Sequence, residues 1–402
     1  MKRRGFVRLG AAATVLGLSS STQAQADKWG IRQGYPTGWT GGFSRDPAYR
    51  VGNYSGGYEA MVRVRHIAAG STPAPLRPAP IDLKYRHDAS WATPQQYLER
   101  WPVTGLLIAR RGAILHESYR FARLPTMRMA SWSMAKSVTS LLLGICLDRG
   151  LIASMDDTAE RYLPELKGTL HGGTTLRNLA NMCSGAAIDH NRDNGATIYP
   201  KGLLDRDSSV RRLVTGWNAR REGQGTAFRY NELCPLTIGM VIRQVTGKSL
   251  SEFAEQVLWK PLGAEAEATW MVDSEANEFN CVGFAARLRD WARLGMLVAQ
   301  KGAMGGRQIV SERWIAELTR WTDDDRAVRY GATGIRVLRG YKYFMWHAKA
   351  DGKQPVFAGH HGQRVCVDMA SETVLVQTAV DHEGGWEEDL HALFEAAIKV
   401  TS

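Results

Sequence analysis

The sequence predicts an α/β fold: an antiparallel sheet flanked by helices, interrupted by an inserted all-helical region. Three observations carry this expectation. Strand-like segments come early, as VTGLLIAR and AILHESYR from Val103, and return late, as YKYFMWHAK, QRVCVDMA and TVLVQTAV. Between them, residues 151 to about 290 alternate helix signals with loops. An amphipathic helix, WEEDLHALFEAAIKV, closes the chain. Strands at both ends with helices in the middle read as one sheet layer split by an insertion.

Residues 1–26 read as an export address. They hold Lys2, Arg3, Arg4 and Arg8, no acid, a short Ala- and Gly-rich apolar run, and a small-x-small end at Ala24-Gln25-Ala26. The start Arg3-Arg4-Gly5-Phe6-Val7-Arg8 resembles a twin-arginine signal, so the mature chain is expected to begin near Asp27 and to work in the periplasm or outside the cell. Residues 27–95 are rich in Gly, Pro, Trp, Tyr and Arg and poor in periodicity. They predict an arm wrapped over the surface, with its aromatics docked.

The main domain spans 96–402. Its first two strands meet at a turn at Arg111-Gly112. In ASWSMAKSVTSLLLG, Met134, Val138, Leu141, Leu142 and Ile145 recur at helical spacing and predict one buried stripe. Ser133, Lys136, Ser137, Ser140 and Gly144 fall on the other side, and Gly150 stops the helix. Within the insertion, LTIGMVIRQVTG predicts a helix, and a second starts at Ser249 with Glu252 completing a capping box and ends near Pro261. GFAARLRDWARLGMLVAQKG (283–302) predicts a further amphipathic helix.

The formal net charge is +11, but beyond residue 26 the basic residues are scattered among acids, which argues against nucleic acid as a partner. No run of about 18 apolar residues follows, so no membrane span is expected. Five widely spaced cysteines with no CxxC pair predict neither a disulfide framework nor a zinc cluster. No HExxH or similar histidine spacing points to a metal, and no other cofactor is expected. GxSxG is absent. TGKS at 246–249 lacks the first glycine of a phosphate loop, because Ile242 stands there; it reads better as a turn and helix cap.

Chemistry gathers at Ser133. A serine hydroxyl is a poor nucleophile at neutral pH and needs a base within hydrogen-bond reach. Lys136 lies three residues on, on the same helical face, and burial disfavours its charged form. A lone S-x-x-K is a weak signal, and these residues alone equally allow a polar helix start with Ser133 as cap and Lys136 snorkelling.

Larger segments add to this: SMAKSVTSLLLGICLDRGLIASMDDTAERYLPEL, LRNLANMCSGAAID, FRYNELCPLTIGMVIRQVTGKSL, GFAARLRDWARLGMLVAQKG and GHHGQRVCVD. In that order and spacing the chain resembles the serine β-lactamase/penicillin-recognising superfamily, and within it the class C-like esterases and 6-aminohexanoate-dimer hydrolases. The resemblance covers about residues 100–400. It implies Ser133 as nucleophile, Lys136 as its base partner, and Tyr230, in Tyr230-Asn231-Glu232, as the proton relay to the leaving group. Glu232 departs from the usual asparagine. A carboxylate beside Lys136 would make it a poorer base, so Glu232 is expected either to turn away or to hold a cationic group of the substrate. His360-His361-Gly362 takes the place of Lys-Thr-Gly, which puts binding of a β-lactam carboxylate in doubt; a backbone N–H near Gln363 would form half of an oxyanion hole, with that of Ser133 as the other half. His190 replaces a substrate-contacting tyrosine of the nylon-oligomer enzymes and is expected to line the cleft. The polar side of the Ser133 helix then becomes the floor of an acyl-transfer site. The expected substrate is a small ester or amide. A non-catalytic sensor on the same scaffold and a D-amino-peptide or cell-wall peptidase remain open, as does the oligomeric state.

Overall fold

The computed structural model describes residues 27–39, 43, 45–329, 337–381 and 384–400. The leader expected over residues 1–26 lies outside these. The strands of the two larger sheets are β1 (Val64–Ile67), β2 (Arg77–Pro78), β3 (Val103–Arg110), β4 (Ala113–Tyr119), β5 (Met129–Ala130), β6 (Ala268–Met271), β7 (Phe284–Ala286), β8 (Gly340–Lys342), β9 (Met345–His347), β10 (Pro355–Gly359), β11 (Gln363–Asp368) and β12 (Thr373–Ala379). Four helices matter most: α1 (Met134–Asp148), α2 (Leu233–Thr246), α3 (Leu288–Ala299) and α4 (Trp386–Lys399).

The main sheet runs β8-β9-β10-β11-β12-β3-β4-β2. Every pairing in it is antiparallel except that of the edge strand β2 with β4. The antiparallel sheet expected from the two outer blocks is therefore present: β12 bridges the late strands to the early hairpin. That hairpin closes where predicted, with Arg111 and Gly112 both at positive φ, the left-handed pair that suits the right-handed twist of the strands.

Helices cover both faces. On one side, α4 packs Leu390, Leu393, Phe394 and Ala397 against Leu106, Ile108 and Leu375 of the sheet. On the other, Val365 and Val374 face Gly295 of α3 so closely that an added Cβ would sit 2.6–2.7 Å from their side chains. The glycine lets helix and sheet approach to native packing density.

Three expectations need correction. The region 151–290 is not all helical: β6 and β7 join β1 and β5 in a second antiparallel sheet, ordered β1-β6-β7-β5. β6 and β7 pair with each other, but their outer partners β1 and β5 lie far away in sequence, so local periodicity carried no trace of the sheet. For the same reason the helix drawn over 283–302 starts only at Leu288, because Phe284–Ala286 is held in the ladder with Thr269, Trp270, Met129 and Ala130. TGKS is a turn: Gly247 ends α2 in the left-handed region and Ser249 forms a capping box with Glu252.

Helix α1 is also not the one-sided helix expected. Lys136, Ser137 and Ser140 are as buried as the apolar stripe. Ser137 donates to the carbonyl of Phe344, and Trp314 lies so close to Gly144 that any Cβ there would collide with its ring. The polar side is therefore a packing face against the β8–β9 turn and the Trp314 helix, and only its first residue, Ser133, is partly open to solvent.

Residues 47–61 of the arm lie against the start of this helix. Tyr54 and Tyr58 are buried, and with Phe43 they surround the indole of Trp132 at centroid distances of 5.4–6.3 Å.

Candidate active site

Ser133 sits at the junction of β5 and α1. The preceding residue, Trp132, has φ 46°, a conformation that a bulky side chain adopts only when its surroundings impose it. The aromatic enclosure just described supplies that constraint. Ser133 occupies the cap position of α1, yet its hydroxyl makes no capping hydrogen bond. It accepts one from Lys136 Nζ instead, at 2.9 Å. The alternative in which Ser133 caps and Lys136 snorkels does not hold, since Lys136 is 1 % exposed.

Lys136 has two further polar partners. Its Nζ donates to the carbonyl of Cys281 at 2.9 Å and lies 3.0 Å from Glu232 Oε2. Two of the ammonium's three N–H donors go to Ser133 and Cys281, and Glu232 supplies the counter-charge as an ion pair. Glu232 thus neither turns away nor reaches for a substrate cation; it is fully buried against Lys136. The reason is electrostatic: a buried ammonium without a counter-charge is costly. Burial pulls the Lys136 pKa down, but the Glu232 carboxylate, helped by Tyr230, more than reverses this and leaves it raised above the usual lysine range.

The loop before α2 explains how Tyr230 and Glu232 converge. Asn231 Oδ1 accepts from the Cys234 N–H, a side-chain cap on the helix start. Its two neighbours are left on either side of that cap, facing the site. The Tyr230 ring centroid is 4.9 Å from Lys136 Nζ. Burial raises the Tyr230 pKa; Lys136 opposes this, Glu232 adds to it, and hydrogen bonding to Ser133 and Lys136 lowers it again. Trp346 stacks on the same ring at 5.4 Å.

A cleft opens at Ser133 in two wings. The first, about 570 Å³, is walled by Tyr230, Phe228, Trp346 and Trp386 and includes His361 and Gly362. The second, about 530 Å³, is lined by Arg45, Asn194, Tyr199 and Glu232. Ser133, His190, Asn191 and His360 belong to both. His190 meets the Tyr230 ring edge-on at 5.2 Å and lies 3.1 Å from Asn194 Nδ2.

Gly359 ends β10 directly against the nucleophile strand; a Cβ there would come within 2.3 Å of the Ser131 carbonyl. That close approach brings His360 beside Ser133. Gln363 is not at the cleft. It is buried, and its amide binds the carbonyls of His360, His361 and Ala379. The turn through His361 and Gly362, at φ 56° and 90°, carries the chain away from the site before Gln363 is reached. His361 is held from the arm, with the Tyr54 hydroxyl 2.5 Å from its Nδ1.

The arrangement suits a covalent hydrolase, and the comparisons agree. Residues 95–396 match the family model described as Beta-lactamase. The chain belongs to the beta-lactamase family. It is 25% identical over 299 residues to the 6-aminohexanoate-dimer hydrolase of Paenarthrobacter ureafaciens, covering 70% of this chain and 74% of that one. Among solved structures it is similar to a Bacillus anthracis protein assigned to the 6-aminohexanoate-dimer hydrolases, with a TM-score of 0.74 at 21% identity over 90% of this chain and 94% of the other. It is also similar to a family VIII carboxylesterase, with a TM-score of 0.56 at 20% identity over 75% and 94%. At these identities the solved structures speak for the fold alone.

Sequence reasoning missed Arg45, Trp132, Asn194, Tyr199 and the Cys281 carbonyl. None sits in a recognisable motif. Trp132 alone had a signal, as the bulky residue directly before the candidate nucleophile.

Proposed function

We propose that this beta-lactamase-family protein is a serine hydrolase that opens small esters or amides through an acyl-enzyme on Ser133. The observation that carries the reading is the 2.9 Å contact between Ser133 Oγ and Lys136 Nζ, with Tyr230 in the same cleft.

Resting Lys136 is an ammonium and Tyr230 a neutral phenol. The reactive form carries one proton fewer, shared over this pair as a coupled unit. Ser133 Oγ attacks the carbonyl carbon while its proton passes to that vacancy. The tetrahedral oxyanion is held by the Ser133 N–H at the start of α1 and by a donor from the strand end at Gly359–His360 rather than at Gln363. The leaving group departs with a proton from Tyr230. Water then repeats the sequence in reverse and frees the acid.

A serine-reactive phosphonate tests this directly. Stoichiometric modification is expected at Ser133, located by mass spectrometry of the digested protein. A fully folded sample that stays unmodified favours the sensor scaffold.

The export reading of residues 1–26 enters as a proposal too. Expressed with its leader in a bacterium that exports folded proteins, the mature chain is expected to start at Asp27, read by amino-terminal sequencing; a start at Met1 in the periplasmic fraction rejects the cleavage site.

A further inference from the structure

The two wings differ in what they offer a substrate. Tyr230, the leaving-group acid, lines the first wing and not the second. The departing alcohol or amine therefore exits through the first, and the acyl chain lies in the second. The second wing mixes polar and apolar walls and carries two charged side chains, Arg45 and Glu232. Glu232 is neutralised by Lys136 at 3.0 Å. Arg45 is not neutralised: among the described residues its guanidinium makes no hydrogen bond or ion pair, and only its main-chain carbonyl is engaged, by Arg50. The side chain reaches over Gly195, where Nη2 lies 3.8 Å from the position a Cβ would take. Gly195 is itself part of the wing, next to Asn194. Among the described residues the wing thus holds one positive charge without a counter-ion, on the exposed Arg45, in the same wing as the nucleophile. Arg364 near the first wing is differently placed, because it donates to the carbonyls of Gly359 and Gln363 and lies over Trp386.

From this we infer that the second wing receives an acyl chain ending in a carboxylate, recognised by Arg45. The substrate class is the half-esters and half-amides of dicarboxylic acids. The inference rests on the hydrolase reading above. The acyl carbon forms its bond to Ser133 Oγ as the alcohol or amine leaves with a proton. Water then displaces Ser133 and releases the free dicarboxylic acid. A guanidinium suits this role because its planar fork matches a carboxylate.

The test compares the p-nitrophenyl monoester of glutaric acid with its neutral methyl ester on the wild type, Arg45→Gln, Arg45→Lys and Gly195→Glu. The wild type is expected to prefer the acid by about 10-fold or more in kcat/KM, with the preference shrinking as salt rises. Arg45→Gln is expected to lose that preference and Arg45→Lys to keep part of it. Gly195→Glu is expected to lose it as well, since it places a carboxylate beside Arg45. An equal wild-type preference for both esters, or a preference unchanged in Arg45→Gln, overturns the inference. So does a wild type that favours p-nitrophenyl 6-aminohexanoate, whose acyl chain ends in an ammonium. If no ester is turned over and the phosphonate leaves Ser133 untouched, the hydrolase reading has failed instead. Calorimetric titration with glutarate and with glutaramide then decides the Arg45 site alone. Tighter glutarate binding that Arg45→Gln removes supports it, and equal binding of the two ligands rejects it.

Discussion

Replacing Ser133 by alanine is expected to lower hydrolysis of a short-chain chromogenic ester by at least about 10³-fold while the protein stays folded. The size follows from the role: among the described residues Ser133 is the one serine or threonine that lines either wing, and without a nucleophile only the oxyanion donors and binding remain. Survival of the fold follows from the local structure. The hydroxyl does not cap α1, and its hydrogen-bond partners are Lys136 and Tyr230, both side chains of the site. Losing it leaves Lys136 with the Cys281 carbonyl and Glu232 as partners, a cost of about 1 kcal/mol. Steady-state kinetics and a thermal melt read both effects. Undiminished turnover in Ser133→Ala removes Ser133 from the chemistry, whatever the melt shows.

Glu232→Asn is expected to move the acidic limb of the kcat/KM profile to lower pH by about 1 to 3 units. The sign does not depend on which partner holds the vacancy. Glu232 raises the pKa of Lys136 and also that of Tyr230. Removing its negative charge lowers both, so the reactive, once-deprotonated pair is reached at lower pH. Stability responds in a linked way. In the wild type the raised Lys136 pKa contributes stability that is fully present below the unfolded lysine value and lost only as pH climbs through the folded value. In the variant, burial is opposed only by Tyr230 and Cys281, and the folded pKa is expected to fall below the unfolded one. The resulting loss is complete below that lowered pKa and fades as pH approaches the unfolded lysine value near about 10.4. Melts of both proteins across pH 6 to about 10 should therefore converge toward the alkaline end. A limb that stays in place, or moves up, would falsify the assignment of Glu232 as the charge that tunes this pair.

The site shows where sequence reading stops. Ser133 and Lys136 are three residues apart on one helix, so their contact was legible before any fold was known. Tyr230 and Glu232 were legible through a family pattern, but not the direction of Glu232. Two outcomes were allowed, and the structure chose a third. The choice was made by burial: once α1 and α2 pack together, an ammonium inside needs an anion, and Glu232 is the one at hand. Gln363 failed for a related reason, because a residue's distance along the chain says nothing about a two-residue left-handed turn at His361 and Gly362.

The same division runs through the whole molecule. Strands β3, β4, β11 and β12, helices α1, α2 and α4, and the Ser133–Lys136 pair could be read from residue order, because each depends on neighbours within a turn or a hairpin. The second sheet, the burial of the supposedly polar face of α1, the Lys136–Glu232 ion pair and the placement of Arg45 in the cleft depend on segments about 90 to more than 200 residues apart. Local periodicity carries no term for such contacts. They come into being only when hydrophobic burial closes the chain on itself and each buried charge must find its partner.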